Sequence, residues 1–286
     1  MRVLVTGASG FLGYHLIQAL DNRGHETITA GRSIDRIVKT GEDFDAVIHL
    51  AAQTEVGKAV LDPVATFEGN VAGTWRVLEF CRTMKIGRVL VASTDKAFGR
   101  SVAPYNENTP LLPDRPYETS KACVDLIART YAATYGMSVA VTRCVNLYGP
   151  RHMNFSTLIP GTIKRVLWGE RPIIRNGGRM KRDFLFVDDA VEGYIRLLES
   201  DYVGPMNFGT GKGYSIGYVS RLILKLLDSD LEPIDEPDKH GEIVDQWSDY
   251  TRADLALGWQ PVTTLEQGLR KTVDWYKAYF SKAKSV

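Results

Sequence analysis

Cysteine is scarce. Cys81, Cys123 and Cys144 are the three in 286 residues, scattered, with neither the paired spacing of a zinc site nor the even count of a disulfide framework. Reduced thiols inside a cytosolic fold are expected, and no structural metal. Histidine is thin too: His15, His25, His49, His152 and His240 show no ligand spacing, and packing or exposure is the role expected of each. Long apolar runs are missing. Nothing approaches the roughly 20 residues that span a bilayer, and the apolar run after Met1-Arg2 is too short for a secretory signal. A cytoplasmic location without a membrane partner is expected. Charge of one sign is not in excess either, since 35 Lys and Arg against 34 Asp and Glu leave +1. That excludes a global field for nucleic acid or anionic lipid, so any anionic ligand must be met by a local patch.

What is present is ordinary globular material, 44% apolar and 24% charged, which excludes disordered, collagen-like and coiled-coil chains. The length suits about two domains, or one large α/β domain with an appended lobe. Unbroken Val/Ile/Leu-rich runs at Arg2 to Thr6, His25 to Ala30, Asp45 to Leu50, Arg88 to Ser93 and Ser138 to Asn146 predict buried parallel strands. Apolar residues at helical spacing in Gly13 to Arg23, Thr66 to Met84 and Tyr117 to Tyr135 predict crossover helices on both faces. The fold class is α/β, a doubly wound, Rossmann-type parallel sheet over residues 1–150. A smaller mixed α/β substrate lobe over 151–286 follows, with some of its segments returning to the core. Its tail, with Leu265, Leu269, Val273, Tyr276 and Phe280 on one stripe, predicts a helix docked on the core.

Thr6-Gly7-Ala8-Ser9-Gly10-Phe11-Leu12-Gly13 falls at the first strand-to-helix junction. Glycines there allow a tight turn and let backbone amides and a helix N-terminus approach a pyrophosphate. Gly7, Ser9, Gly10, Phe11, Leu12 and Gly13 are the candidate dinucleotide contacts, a plain loop being the alternative. At the end of the second strand, Arg32 and Ser33 offer a guanidinium fork and a hydroxyl to a 2′-phosphate, which favours NADP over NAD. A solvated surface arginine is the other reading. The segment from Ser33 to Asp43 is short for a helix-plus-strand insert, and no acidic adenosine contact is assigned.

Tyr117 and Lys121, four apart, share one helix face. An ammonium beside a phenol favours the phenolate, so Tyr117 can exchange a proton with a substrate hydroxyl; chance surface pairing is the competing reading. The strand from Arg88 to Ser93 delivers Thr94, Asp95 and Lys96 to the sheet edge that also carries Gly7, Arg32, Ala51 and Asn146. Asp95 and Lys96 set an acid beside a base, although such a pair in a loop is otherwise a solvated ion pair. Arg175, Arg179, Lys181 and Arg182 form a basic cluster, either a solvated loop or the local patch a dianionic ligand needs.

The Gly-x-x-Gly-x-x-Gly turn, Tyr117 to Lys121, and stretches such as His49-Leu50-Ala51-Ala52-Gln53, Asn70-Val71-Ala72-Gly73-Thr74 and Arg182-Asp183-Phe184 resemble the extended branch of the short-chain dehydrogenase/reductase superfamily, the NAD-dependent epimerase/dehydratase family. Within it, Asp-Lys after Thr94 is most similar to the nucleotide-sugar 4,6-dehydratases of the CDP-glucose type. The resemblance implies Tyr117 and Lys121 as the catalytic pair, Thr94 as a hydroxyl on the substrate oxygen, and Leu50, Ala51 and Ala52 beside the cofactor. It implies Asn146 and Arg182 on the diphosphate of a nucleoside-diphosphate hexose. It also implies an internally recycled NADP or NAD, Lys96 as base and Asp95 as acid in losing water, and a homodimer. A C4 epimerase would use Tyr117, Lys121 and Thr94 without Asp95 and Lys96, and a ketosugar reductase would consume NADPH; a dinucleotide-sensing regulator would keep the fold without catalysis.

Overall fold

The computed structural model describes residues 1–30, 43–237 and 243–283. Apolar runs without polar alternation form the middle of one sheet, where Val3, Leu4, Val5, Val47, Ile48, Leu90 and Val141 are wholly buried. The strands are β1 (Arg2–Thr6), β2 (Glu26–Ala30), β3 (Ala46–His49), β4 (Arg88–Thr94), β5 (Val139–Cys144), β6 (Asn146–Tyr148) and β7 (Ile173–Arg175). They continue with β8 (Lys181–Arg182), β9 (Phe184–Phe186), β10 (Gly204–Phe208), β11 (Tyr214–Ser215), β12 (Ile234–Glu236) and β13 (Asp245–Gln246). Six of them form a parallel sheet in the order β10-β5-β4-β3-β1-β2.

Alternate residues of a strand face opposite sides, and the two helical layers follow from it. Val3 and Val5 pack with Leu16 and Leu20 of the helix Phe11–Asn22 and with Ala190 and Ile195 of the helix Val187–Leu198. Leu4, Val89 and Val91 pack on the other face with Val77 and Leu78 of the helix Gly73–Thr83 and Val124 and Ala128 of the helix Pro116–Tyr135. The expected double winding is present. A third core joins the helices Leu158–Leu167, Ile216–Leu226 and Leu265–Ala283, with Leu265, Leu269, Val273 and Tyr276 inside it and Phe280 against it. The tail helix is docked as its stripe predicts. No helix among the described residues is long and apolar enough to cross a membrane.

Two expectations need correcting. The strand expected through Asn146 ends at Cys144, because Val145 N donates to Phe208 O at 3.1 Å and Asn146 N to Asp183 O at 3.2 Å. The chain thus leaves the sheet, and β6 pairs in parallel with β9. The helix expected from Thr66 to Met84 is interrupted by one π turn, Glu68–Ala72, after a short helix at Pro63–Phe67 capped by Asp62. Such turns widen a helix locally and occur at functional sites.

The helix Pro116–Tyr135 is fastened to the sheet by a buried ion pair. Arg143 Nε and Nη2 donate to the two oxygens of Asp125 at 2.7 and 3.0 Å, Nη1 donates to Glu107 O at 3.0 Å, and the guanidinium lies 5.0 Å from the Phe98 ring centroid. Elsewhere, Tyr276 of the tail helix donates to His152 O, and the His152 ring stacks on Phe11 at 4.4 Å. Removing one member of a buried pair leaves the other charge uncompensated. Asp125→Ala is therefore expected to lower unfolding free energy by about 3–5 kcal/mol, read from the midpoint and slope of urea denaturation.

Candidate active site

Because all six strands run the same way, their C-terminal ends open on one edge, where open α/β sheets bind ligands. The first turn there is built by close approach. Gly7 has φ +73°, and a Cβ on it would lie 2.7 Å from Ala51 N; a Cβ on Gly13 would overlap the Gly7 carbonyl oxygen. Gly10 N donates to Gly7 O at 3.0 Å, and Gly10 then begins the helix Phe11–Asn22 with no side-chain cap. The first amides of that helix face the turn with its dipole behind them, the arrangement that holds a pyrophosphate. Leu50 N donates to Thr6 O and Ala51 N to Thr6 Oγ1, both at 3.2 Å, so the Leu50–Ala52 segment lies beside the glycines. The residues present fit a dinucleotide. Arg32 and Ser33 lie outside the described residues.

Tyr117 and Lys121 stand at the N-terminal end of the helix Pro116–Tyr135, whose first residue is proline, as suits a position that needs no N–H. Both are buried. Lys121 Nζ donates to Ala92 O of β4 at 2.9 Å, and burial lowers the Lys121 pKa to about 8. Burial first, and then the charge of Asp95, raise the Tyr117 phenol above its ordinary range. The lowering of Tyr117 expected from Lys121 is thus not what the protein itself shows, because desolvation disfavours phenolate.

A polar chain under this pair was not anticipated from sequence. His49 Nδ1 lies 2.7 Å from Thr6 Oγ1 and Nε2 lies 3.2 Å from Thr74 Oγ1; Thr74 donates to Asn70 O at 2.6 Å. Asn70, in the π turn, donates to Ser120 Oγ at 2.9 Å, and Ser120 donates to Tyr117 O at 2.7 Å. Burial pushes His49 down to about 3, with the Lys121 charge adding to it, so this imidazole is neutral. The π turn brings Asn70 to Ser120. Its local signal was Asn70-Val71-Ala72-Gly73-Thr74, a polar residue at each end of a small-residue run.

Thr94 ends β4, its Oγ1 3.1 Å from Asp95 Oδ1 and 3.2 Å from Cys144 O. Asp95 is wholly buried, Oδ2 has no hydrogen-bond partner, and burial raises its pKa against the opposing charge of Lys96. Lys96 Nζ lies 4.0 Å from Asp95 Oδ1 and donates to Asn146 Oδ1 at 2.9 Å. Asn146 Nδ2 in turn donates to Asp183 O at 3.0 Å, so both ends of this expected diphosphate ligand are engaged by protein. Arg182 Nη1 donates to Lys181 O and Val244 O, and its charge acts on Asp95. Of the remaining basic residues, Arg175, Arg179 and Lys181 are exposed, with Lys181 Nζ 5.8 Å from the Trp247 ring centroid. Asp183 itself, which sequence left without a role, accepts from Thr210 N and Oγ1 at 2.9 and 2.6 Å, while burial raises its pKa to about 7. The structure therefore brings Thr94, Asp95, Lys96, Asn146, Tyr117 and Lys121 to one edge.

Comparison with known proteins agrees with this arrangement. The model of the NAD dependent epimerase/dehydratase family matches residues 3–217. A dTDP-glucose 4,6-dehydratase of Mycolicibacterium smegmatis is 33% identical, covering 97% of this chain and 94% of its own. UDP-glucuronic acid decarboxylase 1 of Xenopus tropicalis is 30% identical over 96% of this chain and 72% of its own. Among solved structures, the UDP-glucose 4-epimerase of Thermotoga maritima with UDP-glucose superposes with a TM-score of 0.92 at 28% identity, covering 98% and 100% of the two chains. A double mutant of the dTDP-glucose 4,6-dehydratase DesIV of Streptomyces venezuelae, with NAD and DAU bound, gives 0.91 at 26% identity over 99% and 98%. RMD of Pseudomonas aeruginosa, complexed with NADPH, gives 0.88 at 27% identity over 97% and 99%. With a glycine turn fitted to a dinucleotide and a family match over most of its length, the chain belongs to the NAD dependent epimerase/dehydratase family.

Proposed function

We propose that the protein is a nucleotide-sugar 4,6-dehydratase acting on a nucleoside-diphosphate hexose. The observation that carries this reading is Asp95, wholly buried at the sheet edge with one carboxylate oxygen unpartnered and Lys96 beside it. A C4 epimerase, the activity of one superposed neighbour, has no use for that pair. A dinucleotide whose pyrophosphate sat on the glycine turn would supply oxidation at C4 and reduction at C6, and its nicotinamide ring a positive charge that would offset the burial of a Tyr117 phenolate. Tyr117 takes the proton of the C4 hydroxyl, with Lys121 held below it by Ala92 O and Thr94 on the same oxygen. The C4 ketone acidifies the C5 proton, which Lys96 removes, while Asp95, whose pKa burial raises, donates a proton to the C6 oxygen as it leaves as water. Arg182 and Asn146 contact the diphosphate, Asn146 exchanging one of its protein partners. The nucleotide proposed is NADP, on the strength of Arg32 and Ser33. The proposed assembly is a homodimer through the helices Gly73–Thr83 and Pro116–Tyr135, which leave Trp75, Leu126 and Tyr135 exposed in the single chain.

Mass spectrometry of the protein incubated in deuterated water with nicotinamide nucleotide and a panel of GDP-, CDP-, UDP- and dTDP-hexoses is expected to show loss of one water and deuterium at C5. An isomer of unchanged mass without label would mean an epimerase. Tyr117→Phe is expected to lower turnover by about 10²–10⁴-fold, with calorimetry showing an intact fold; turnover within twofold of the original would remove Tyr117 from the chemistry. Arg32→Ala is expected to weaken NADP binding several-fold and leave NAD binding as it was, in fluorescence titrations of both nucleotides.

A further inference from the structure

Asn146 stands just beyond the point where the chain leaves the central sheet, and its two nitrogens close on one carbonyl. N and Nδ2 donate to Asp183 O at 3.2 and 3.0 Å. That carbonyl is itself fixed. The Asp183 carboxylate accepts from Thr210 N and Oγ1 at 2.9 and 2.6 Å and from Ser248 N at 3.5 Å, which ties the residue between β8 and β9 to the loops after β10 and β13. The side-chain amide is thereby pinned by its nitrogen, with its oxygen turned to the base: Lys96 Nζ donates to Asn146 Oδ1 at 2.9 Å. The same Nζ lies 4.0 Å from Asp95 Oδ1, beyond hydrogen-bond length. Asp95 Oδ1 is met instead by Thr94 Oγ1 at 3.1 Å, and Oδ2 has no partner among the described residues. Two side chains adjacent in sequence, one acid and one base, are thus drawn apart by different neighbours.

We propose that Asn146 is a positioning residue acting through Lys96: its Oδ1 holds the base of the elimination off Asp95, the acid, while its Nδ2 meets the diphosphate. This rests on the dehydratase reading. In contact, Asp95 and Lys96 would settle as carboxylate and ammonium, the forms that can neither give nor take a proton. In the step itself the C5–H bond breaks as Lys96 Nζ binds the proton. The electron pair becomes the C5–C6 double bond, the C6–O bond breaks, and the oxygen leaves as water with the proton of Asp95. As Nζ gains its proton, the bond to Oδ1 becomes charge-assisted, about twice as strong as a neutral one, so the amide helps most when the base is most charged. A carboxylate in its place would fix the ammonium beforehand. A diphosphate oxygen only accepts, so it draws on Nδ2 and leaves Oδ1 to Lys96. One amide then meets the anionic end of the substrate on one side and the base for its C5 on the other.

The test uses the full chain with its nicotinamide nucleotide and the member of the GDP-, CDP-, UDP- and dTDP-hexose panel that the wild-type protein turns over. Label at C5, water loss and the absorbance of reduced nicotinamide are followed in deuterated water, with the sugar varied across KM. Asn146→Ala removes the amide, and Asn146→Asp keeps its shape and its acceptor but adds the charge that holds Lys96 as ammonium. KM is expected to rise in both through the diphosphate. Beyond that, kcat for water loss and label uptake is expected to fall about 10–10²-fold, with reduced nicotinamide accumulating because oxidation at C4 outruns elimination. A residue that served the diphosphate alone would move KM without that build-up. Asn146→Asp carries the test by itself if the alanine variant does not fold. An unchanged kcat, or a lower one without accumulated reduced nicotinamide, would overturn the inference and leave the dehydratase reading standing. A wild-type protein that removes water from no member of the panel, or only isomerises one, would overturn that reading and the inference with it.

Discussion

Every functional feature depends on one constraint, the common direction of the six strands in the central sheet. A parallel sheet sends each carboxyl end to the same edge, so residues far apart in sequence arrive together without any loop having to reach for them. Gly7, Ala51, Asp95 and Asn146 each follow the end of a strand that ends there or the residue just beyond it. Antiparallel pairing at any point would have removed one of these groups. The helices matter as fasteners, and the ion pair of Arg143 with Asp125 keeps the helix that bears Tyr117 in register with β5.

Electrostatics at that edge is set more by exclusion of water than by pairing. Burial raises Tyr117 and Asp95 and lowers Lys121, each toward its uncharged form.

The strand and helix layers were readable because buried parallel strands write themselves as unbroken apolar runs, as in Val3-Leu4-Val5 and Val89-Leu90-Val91. The glycine turn and the Tyr117 to Lys121 spacing were readable because each is written within one short stretch of sequence, although Ala51 and Ala92 complete them. What escaped depends on distant partners. The exit of the chain at Val145 is decided by Phe208 and Asp183, over 35 residues away, and neighbouring residues carry no trace of it. His49 looks like any buried histidine until Thr6 and Thr74 close on its two nitrogens. The reading of Arg32 and Ser33 falls on residues outside those described.

The contact of Tyr276 with His152, and of His152 with Phe11, ties the last helix of the chain to the first functional turn. Chains are made from the N-terminus and domains fold as units during synthesis. The glycine turn and His152 are both synthesised before Tyr276, so the ring that packs on Phe11 is fastened to the tail helix only once residue 276 has been made.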